Sequence, residues 1–251
     1  MFTTWLWLLL AFVPLLFLER WIHRHLQGLW LLILRDPDLA LMLYSIVMLP
    51  GVLLHEVSHW VTATLLLVRT GRFSLIPARM PDGTLRLGYV ETEATDFIRE
   101  SLIGVAPLVF GAAAIILVGY PRLGVGPVGA ALAAGDPAAL AVALRQMVGL
   151  PDFWLWLYLT FTIANSMLPS ASDRRGWWRT AVVAAVLTAG LFYLGLGTAV
   201  LDALDGPIDA ALRALALAFT VTVGLNLCLV PLLWLVERGL TRVLGLEVKY
   251  E

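Results

Sequence analysis

His55-Glu56-Val57-Ser58-His59 places two imidazoles and a carboxylate within one short stretch of an apolar run. Four residues make about one helical turn, so the two histidines share a face if the segment is helical. Two imidazoles on one face are a metal-binding pair. A carboxylate beside the first is placed to take a proton from a water held there. H-E-x-x-H on a helix is therefore a zinc-hydrolase pattern. Upstream, Leu39–Leu54 carries no charge, and downstream neither does Trp60–Val68. An Asp at mid-depth in a span costs about 2.5–3.5 kcal/mol on insertion scales, and intramembrane ionisable groups mark function by default. The bland alternative is a structural pair of histidines. With only 4 histidines in the chain, chance would rarely produce this pattern, and more rarely inside a span.

The elements that must position these residues are apolar. The chain has 251 residues, 60% hydrophobic and 14% charged, against about 25% charged in soluble domains. Its mean hydropathy is +0.87. This composition predicts a polytopic membrane protein surrounded by the lipid bilayer. The net charge of −1 gives no basic field for nucleic acid. All basic residues but Lys249 are Arg, which reads as the coding bias of a GC-rich genome and carries no further argument. The expected location is a bacterial or archaeal cell membrane. The single Cys228 excludes an intrachain disulfide and a thiolate zinc cluster, leaving His and carboxylates as ligands. Met1–Thr4 has no basic side chain and Phe17–Arg20 no cleavage-type small residues, so Phe2–Leu18 is expected as a retained first span.

An all-α fold with about six transmembrane helices is predicted: Phe2–Leu18, Leu39–Val68, Leu102–Tyr120, Phe153–Pro169, Ala181–Leu201 and Ala211–Val236. Pro50-Gly51 is expected to kink or restart the second. Gly28–Leu34 is expected as an interfacial helix, and Ala138–Val148 as a short helix started by Asp136-Pro137. Between the second and third spans, Thr84–Val90 alternates like a half-buried strand. It is expected to pair with Phe73–Ala78 as a β-hairpin turning at Pro81-Asp82-Gly83. Three regions follow: 1–38, a first helix and interfacial segment; 39–175, a catalytic membrane core with its hairpin in 69–99; and 176–251, the last two spans and a short tail. Loop arginines at Arg69–Arg86, Arg174–Arg179 and Arg238–Arg242 outnumber Arg20, Arg24, Arg35, Arg122 and Arg145. By the positive-inside rule both termini are expected in the cytoplasm, with Asp202–Asp209 as an outside loop.

A catalytic zinc usually takes three protein ligands and an open position. His23 and His25 fall on the outer side and are expected to be interfacial. The Asp202–Asp209 acids also lie outside. Asp173 follows the fourth span, which runs parallel to the second, so it is the expected third ligand, with an N-cap as its bland alternative. Asn165 and Pro169 break the polarity and the helix geometry of that segment, as a water-lined site requires.

The pairing of His55-Glu56-Val57-Ser58-His59 with Asn165, Pro169 and Asp173 resembles the site-2 protease family of intramembrane zinc metalloproteases. Family members carry Asn-x-x-Pro and an Asp-Gly eight residues after the Asn. Here the Asn-to-Asp separation is the same, Pro169 stands one position later, and Arg174 replaces the Gly, as in a divergent branch. The resemblance covers about Gly51–Asp173. It implies a three-helix catalytic core, with the small residues Gly104–Gly111 in its middle helix, and a membrane-re-entrant hairpin after the catalytic helix. It implies one Zn²⁺ held by His55, His59 and Asp173, and Glu56 as general base. Asn165 is either a donor to the substrate carbonyl or an interhelical hydrogen bond. The hairpin either rests on headgroups or adds an unwound substrate as a strand. The function implied is cleavage of a transmembrane segment of a partner protein, as in regulated intramembrane proteolysis. The alternative is a catalytically inactive relative that binds and regulates a membrane partner. A transporter should show internal symmetry, and none is visible. A homo-oligomer stays open.

Overall fold

The computed structural model of the protein describes residues 2–79, 85–246 and 248. Helix α1 spans Phe2–Leu34 without a break. The expected interfacial helix Gly28–Leu34 is therefore the last two turns of α1. The chain reverses at Arg35, in the left-handed region with φ 55. Asp36 then caps α2, Pro37–Leu65, by accepting from the Asp38 and Leu39 amides, with Pro37 in the first turn. Pro50 sits inside α2 and does not restart it.

Beyond α2 come four short strands. β1 (Thr70–Ser74) pairs antiparallel with β4 (Tyr89–Thr92), Phe73 facing Val90 and Ser74 facing Tyr89. β2 (Ala78–Arg79) pairs with β3 (Leu85–Arg86). The expected hairpin is thus present as two ladders, and Leu87-Gly88 leaves the strand between them. The turn assigned to Pro81-Asp82-Gly83 lies outside the described residues. Leu75 and Leu87 pack on Tyr44, Met48 and Val52 of α2, so the hairpin folds back along the helix it follows.

Helix α3, Phe97–Ala114, is capped by Asp96. The backbone hydrogen bonds from Ile98 and Arg99 hold the Asp96 carboxyl below the usual carboxylate range. The rod continues through a π-helical turn, Ile115–Gly119, into α4, Tyr120–Leu123. Then follow α5 (Val125–Ala134), α6 (Pro137–Val148, capped by Asp136 as expected) and α7 (Phe153–Ala164). α7 ends before the Pro169 end foreseen for the fourth span. α8 is Trp177–Tyr193 and α9 is Gly197–Leu244.

Among the described residues, four helices are long and apolar enough to cross a membrane: α1, α2, the rod Phe97–Leu123, and α9. The α6–α7 pair, bent by 96°, makes a fifth if taken as one broken span. The chain is a mostly helical membrane protein with a small antiparallel sheet. The fifth expected span, Ala181–Leu201, is divided between α8 and the start of α9. Asp202–Asp209 is helix and not a loop. Asp202 and Asp205 are exposed on this helix, while Asp209, one turn further on, is half-buried and accepts from Thr4 of α1.

α9 packs along α1 in the same direction. Thr4 donates to Asp209 at 2.7 Å, Trp7 to Thr220 at 2.9 Å, Phe12 stacks on Phe219, and His25 meets Glu237 at 2.5 Å. The N-terminal end of α1 and the C-terminal end of α9 therefore lie at opposite ends of this pair. Ala11, Leu15, Ala112, Ile115, Ala164, Met167, Ala218 and Phe219 fill the core between α1, α3, α7 and α9.

α2 and α7 touch backbone to backbone at Gly51. A Cβ there would overlap the Thr162 carbonyl and stand 2.7 Å from the Ser166 hydroxyl. Gly190 of α8 has nothing within 4 Å. Gly51→Ala is expected to destabilise the protein by about 1–3 kcal/mol. Gly190→Ala should leave stability unchanged or slightly raised. Unfolding midpoints of the two variants in one detergent check the contrast.

Candidate metal centre

One turn of α2 carries His55 and His59 on the same face, and their Nε2 atoms stand 3.2 Å apart. The orientation of each ring is set from behind. His55 Nδ1 lies 2.6 Å from the Ser166 carbonyl and His59 Nδ1 2.9 Å from the Ile103 carbonyl. A carbonyl only accepts, so each Nδ1 carries the proton and the neutral ring turns its Nε2 lone pair outward.

Both carbonyls are available because their helices cannot use them. In α3, Ile103 would accept from residue 107, and that residue is Pro107, which has no N–H. α7 stops at Ala164, which leaves the Asn165 and Ser166 carbonyls as helix-end orphans. His55 takes the second of these. His23 of α1 takes the first, with Nε2 at 2.8 Å, while its Nδ1 lies 2.5 Å from the Tyr44 hydroxyl. His23 is thus tied into the helix bundle, where the sequence suggested an interfacial residue. His25 pairs with Glu237. Each ring has a partner on another helix that the local sequence does not show.

Asp173 completes the cluster. Its Oδ1 lies 3.4 Å from His59 Nε2 and its Oδ2 3.6 Å from His55 Nε2. The Ser170 amide donates to Asp173 Oδ2 at 2.7 Å, and the Asp173 amide donates to Ser170 Oγ at 3.3 Å. That reciprocal pair has the bonding pattern of a capping box, here closing a turn ahead of α8. Arg174, where the resemblance implied Gly, donates from Nε to the Ser170 carbonyl and closes the same turn. Gly104 of α3 lets the turn approach: a Cβ there would overlap the Asp173 carbonyl.

His55, His59 and Asp173 each offer one ligand atom, all within 4.8 Å of one another, and could hold a metal ion. A tetrahedral ion with ligand bonds of about 2.0–2.1 Å spaces its ligands about 3.3 Å apart. The His55 Nε2–His59 Nε2 edge of 3.2 Å and the His59 Nε2–Asp173 Oδ1 edge of 3.4 Å lie near that value, while His55 is met by the other carboxylate oxygen, Oδ2, at 3.6 Å. Three acceptor atoms facing one another repel unless a cation lies between them.

Glu56 is buried on α2 beside His55. Gly88 of the hairpin lies against it, and a Cβ there would stand 3.0 Å from Glu56 Cγ and 3.2 Å from Oε1. Asn165 has a different place. Its side-chain NH₂ donates to the Phe161 carbonyl at 2.9 Å and to Asn226 Oδ1 at 3.0 Å, and its Oδ1 accepts from the Asn226 NH₂. Both amide hydrogens are committed, so its side chain serves the interhelical bond. The contributions of Pro107, Ser170 and His23 were not foreseen from sequence. Two had a local signal: a proline four residues after Ile103, and Ser-x-x-Asp around the third ligand.

A scan against models of known protein families, a search of curated proteins and a search of solved structures each gave no match.

Pro107→Ala restores an amide that competes with His59 for the Ile103 carbonyl. Helix stability should rise, since Pro costs about 3 kcal/mol against Ala in a helix interior. Metal affinity should fall by up to about tenfold, as for a weakened ligand-orienting partner. Thermal unfolding and chelator competition on the same preparation check the opposite signs.

Proposed function

We propose that this chain is an intramembrane zinc endopeptidase, a divergent member of the site-2 protease family, that cuts a transmembrane segment of another membrane protein. The supporting observation is the convergence of His55 Nε2, His59 Nε2 and an Asp173 carboxylate oxygen, next in sequence to a buried Glu56. Zinc suits this donor set of two imidazole nitrogens and one carboxylate, which leaves a fourth position for water. When bound, zinc polarises the scissile carbonyl and lowers the pKa of a water toward about 7.

The chain's own residues supply the rest. His55 and His59 stay neutral and aimed because their Nδ1 protons are engaged by carbonyls. Asp173 brings one negative charge, held by the Ser170 amide. Glu56 accepts the proton from the attacking water and passes it to the leaving amine. Burial beside the cluster keeps its carboxylate within reach of one position. A substrate helix hides its amides in internal hydrogen bonds, so it must unwind before attack. The hairpin is the element we assign to hold the unwound strand, since Gly88 brings it against Glu56 without a side chain between. In this reading α2, α3 and α7 form the catalytic core, and α1 and α9 flank it within the lipid bilayer.

In this reading α1 and α9 each cross once, and their parallel packing supports an odd number of crossings with the termini on opposite sides of the membrane. Arg238 and Arg242 then leave the N-terminal side, and the arginine margin that favoured a cytoplasmic N-terminus shrinks. Compartment reporters fused to each end should give opposite readings, and matching readings would sink this topology.

Glu56→Gln should retain zinc and lose cleavage by about 10²-fold or more, whereas His55→Ala should lose both. Metal analysis with cleavage of a model transmembrane substrate reads the two outcomes. Full activity in a metal-loaded Glu56→Gln protein overturns the mechanism. Stoichiometric zinc with no cleavage by the unaltered chain would instead favour an inactive relative that regulates a membrane partner.

A further inference from the structure

His23 of α1 lies outside the metal cluster, yet it grips the peptide that the cluster leans on. Its Nε2 is 2.8 Å from the Asn165 carbonyl. A carbonyl cannot donate, so Nε2 carries the proton, and in the neutral ring the lone pair is on Nδ1. That lone pair faces the Tyr44 hydroxyl at 2.5 Å, with Tyr44 2% exposed. The Tyr44 O–H therefore donates to His23, and His23 donates to Asn165. Glu19 Oε1 approaches the same Nε2 only to 3.7 Å.

The peptide unit from Asn165 to Ser166 moves as a plane. His23 holds its oxygen, and its N–H donates to the Ile163 carbonyl at 3.1 Å. With both ends of that plane fixed, the next carbonyl, that of Ser166, points at His55 Nδ1. α2 is thus tied to the end of α7 twice: directly through His55, and by way of Tyr44 and His23. Without His23, the Asn165 carbonyl would sit at a 1% exposed residue without that donor, and the plane that aims the Ser166 oxygen would be free to turn.

We propose that His23 is a positioning residue for the metal centre, with Tyr44 selecting its tautomer, acting through the Asn165–Ser166 peptide on the direction of the His55 ring. This rests on reading His55, His59 and Asp173 as a metal site. Nothing passes through His23 to substrate, so its effect belongs on the metal's affinity and ligand field.

The test uses the full chain in detergent, with zinc measured by chelator competition and Co²⁺ as a spectroscopic probe. A lost outer-shell partner of a ligand typically costs 10–100-fold in metal affinity; His23 is one link further out. His23→Ala is expected to weaken zinc about three- to tenfold and to shift the Co²⁺ absorption bands. His23→Gln keeps an N–H for the Asn165 carbonyl and should restore most of both. Tyr44→Phe should move them in the same direction by less. His25→Ala breaks a comparable bridge, from α1 to α9 through Glu237, and should leave the Co²⁺ bands unchanged. Wild-type affinity and spectrum in His23→Ala overturn the proposal, as does an equal shift in His25→Ala. If His23→Ala does not fold, an unchanged Tyr44→Phe spectrum overturns it. A wild-type chain that takes up no stoichiometric metal removes the metal site and this proposal together, a pattern distinct from the others.

Discussion

A helix that ends inside an apolar protein must find partners for its last carbonyls, and the end of α7 at Ala164 is that situation here. Each unpaired carbonyl in hydrocarbon costs several kcal/mol. Water is the usual partner at a helix end; here two histidines from two other helices serve. That requirement draws α1 and α2 onto one short stretch of backbone, Asn165-Ser166. One of those histidines is also a ligand of the candidate metal centre. The geometry of the centre is therefore a by-product of satisfying a helix terminus.

The same economy recurs at α3. Pro107 removes one amide from the helix ladder, and the carbonyl it strands becomes the acceptor that fixes His59. Asp173 is fixed by a different device, a four-residue turn that closes on itself through Ser170. Two ligands thus depend on contacts far apart in sequence, and the third on contacts within its own turn. Gly51 and Gly104 let these pieces close to the distances a small cation needs. A side chain at either position would force apart the backbones that meet there, at Thr162 or at Asp173.

The centre was legible where the chemistry is periodic and local. His55, Glu56 and His59 stand out because three ionisable groups fall in an apolar run, and Asp173 because few other acids end a span. The hairpin after α2 could be seen in its alternation. What could not be seen follows from long-range pairing. His23 looks interfacial until Asn165 and Tyr44 are brought to it. Asn165 reads as a polar break in a span, and only Asn226, on α9, shows that its amide is spoken for. Asp202–Asp209 suggested a loop because acids are costly in a membrane, but Asp202 and Asp205 stay exposed on a continuous helix and Asp209 finds Thr4 of α1.

Gly104 and the Ser170–Asp173 turn meet backbone to backbone, with no room for a β-carbon between them. In a lineage of such chains, position 104 and the turn from Pro169 to Asp173 are therefore not free to drift independently. A larger residue at 104 can be accepted only if the turn lengthens or moves outward, and that shift would carry Asp173 away from the histidines. Among relatives, the two segments should be inherited as a matched pair: a small residue at 104 with a tight capped turn, or a bulkier one with a redesigned third ligand.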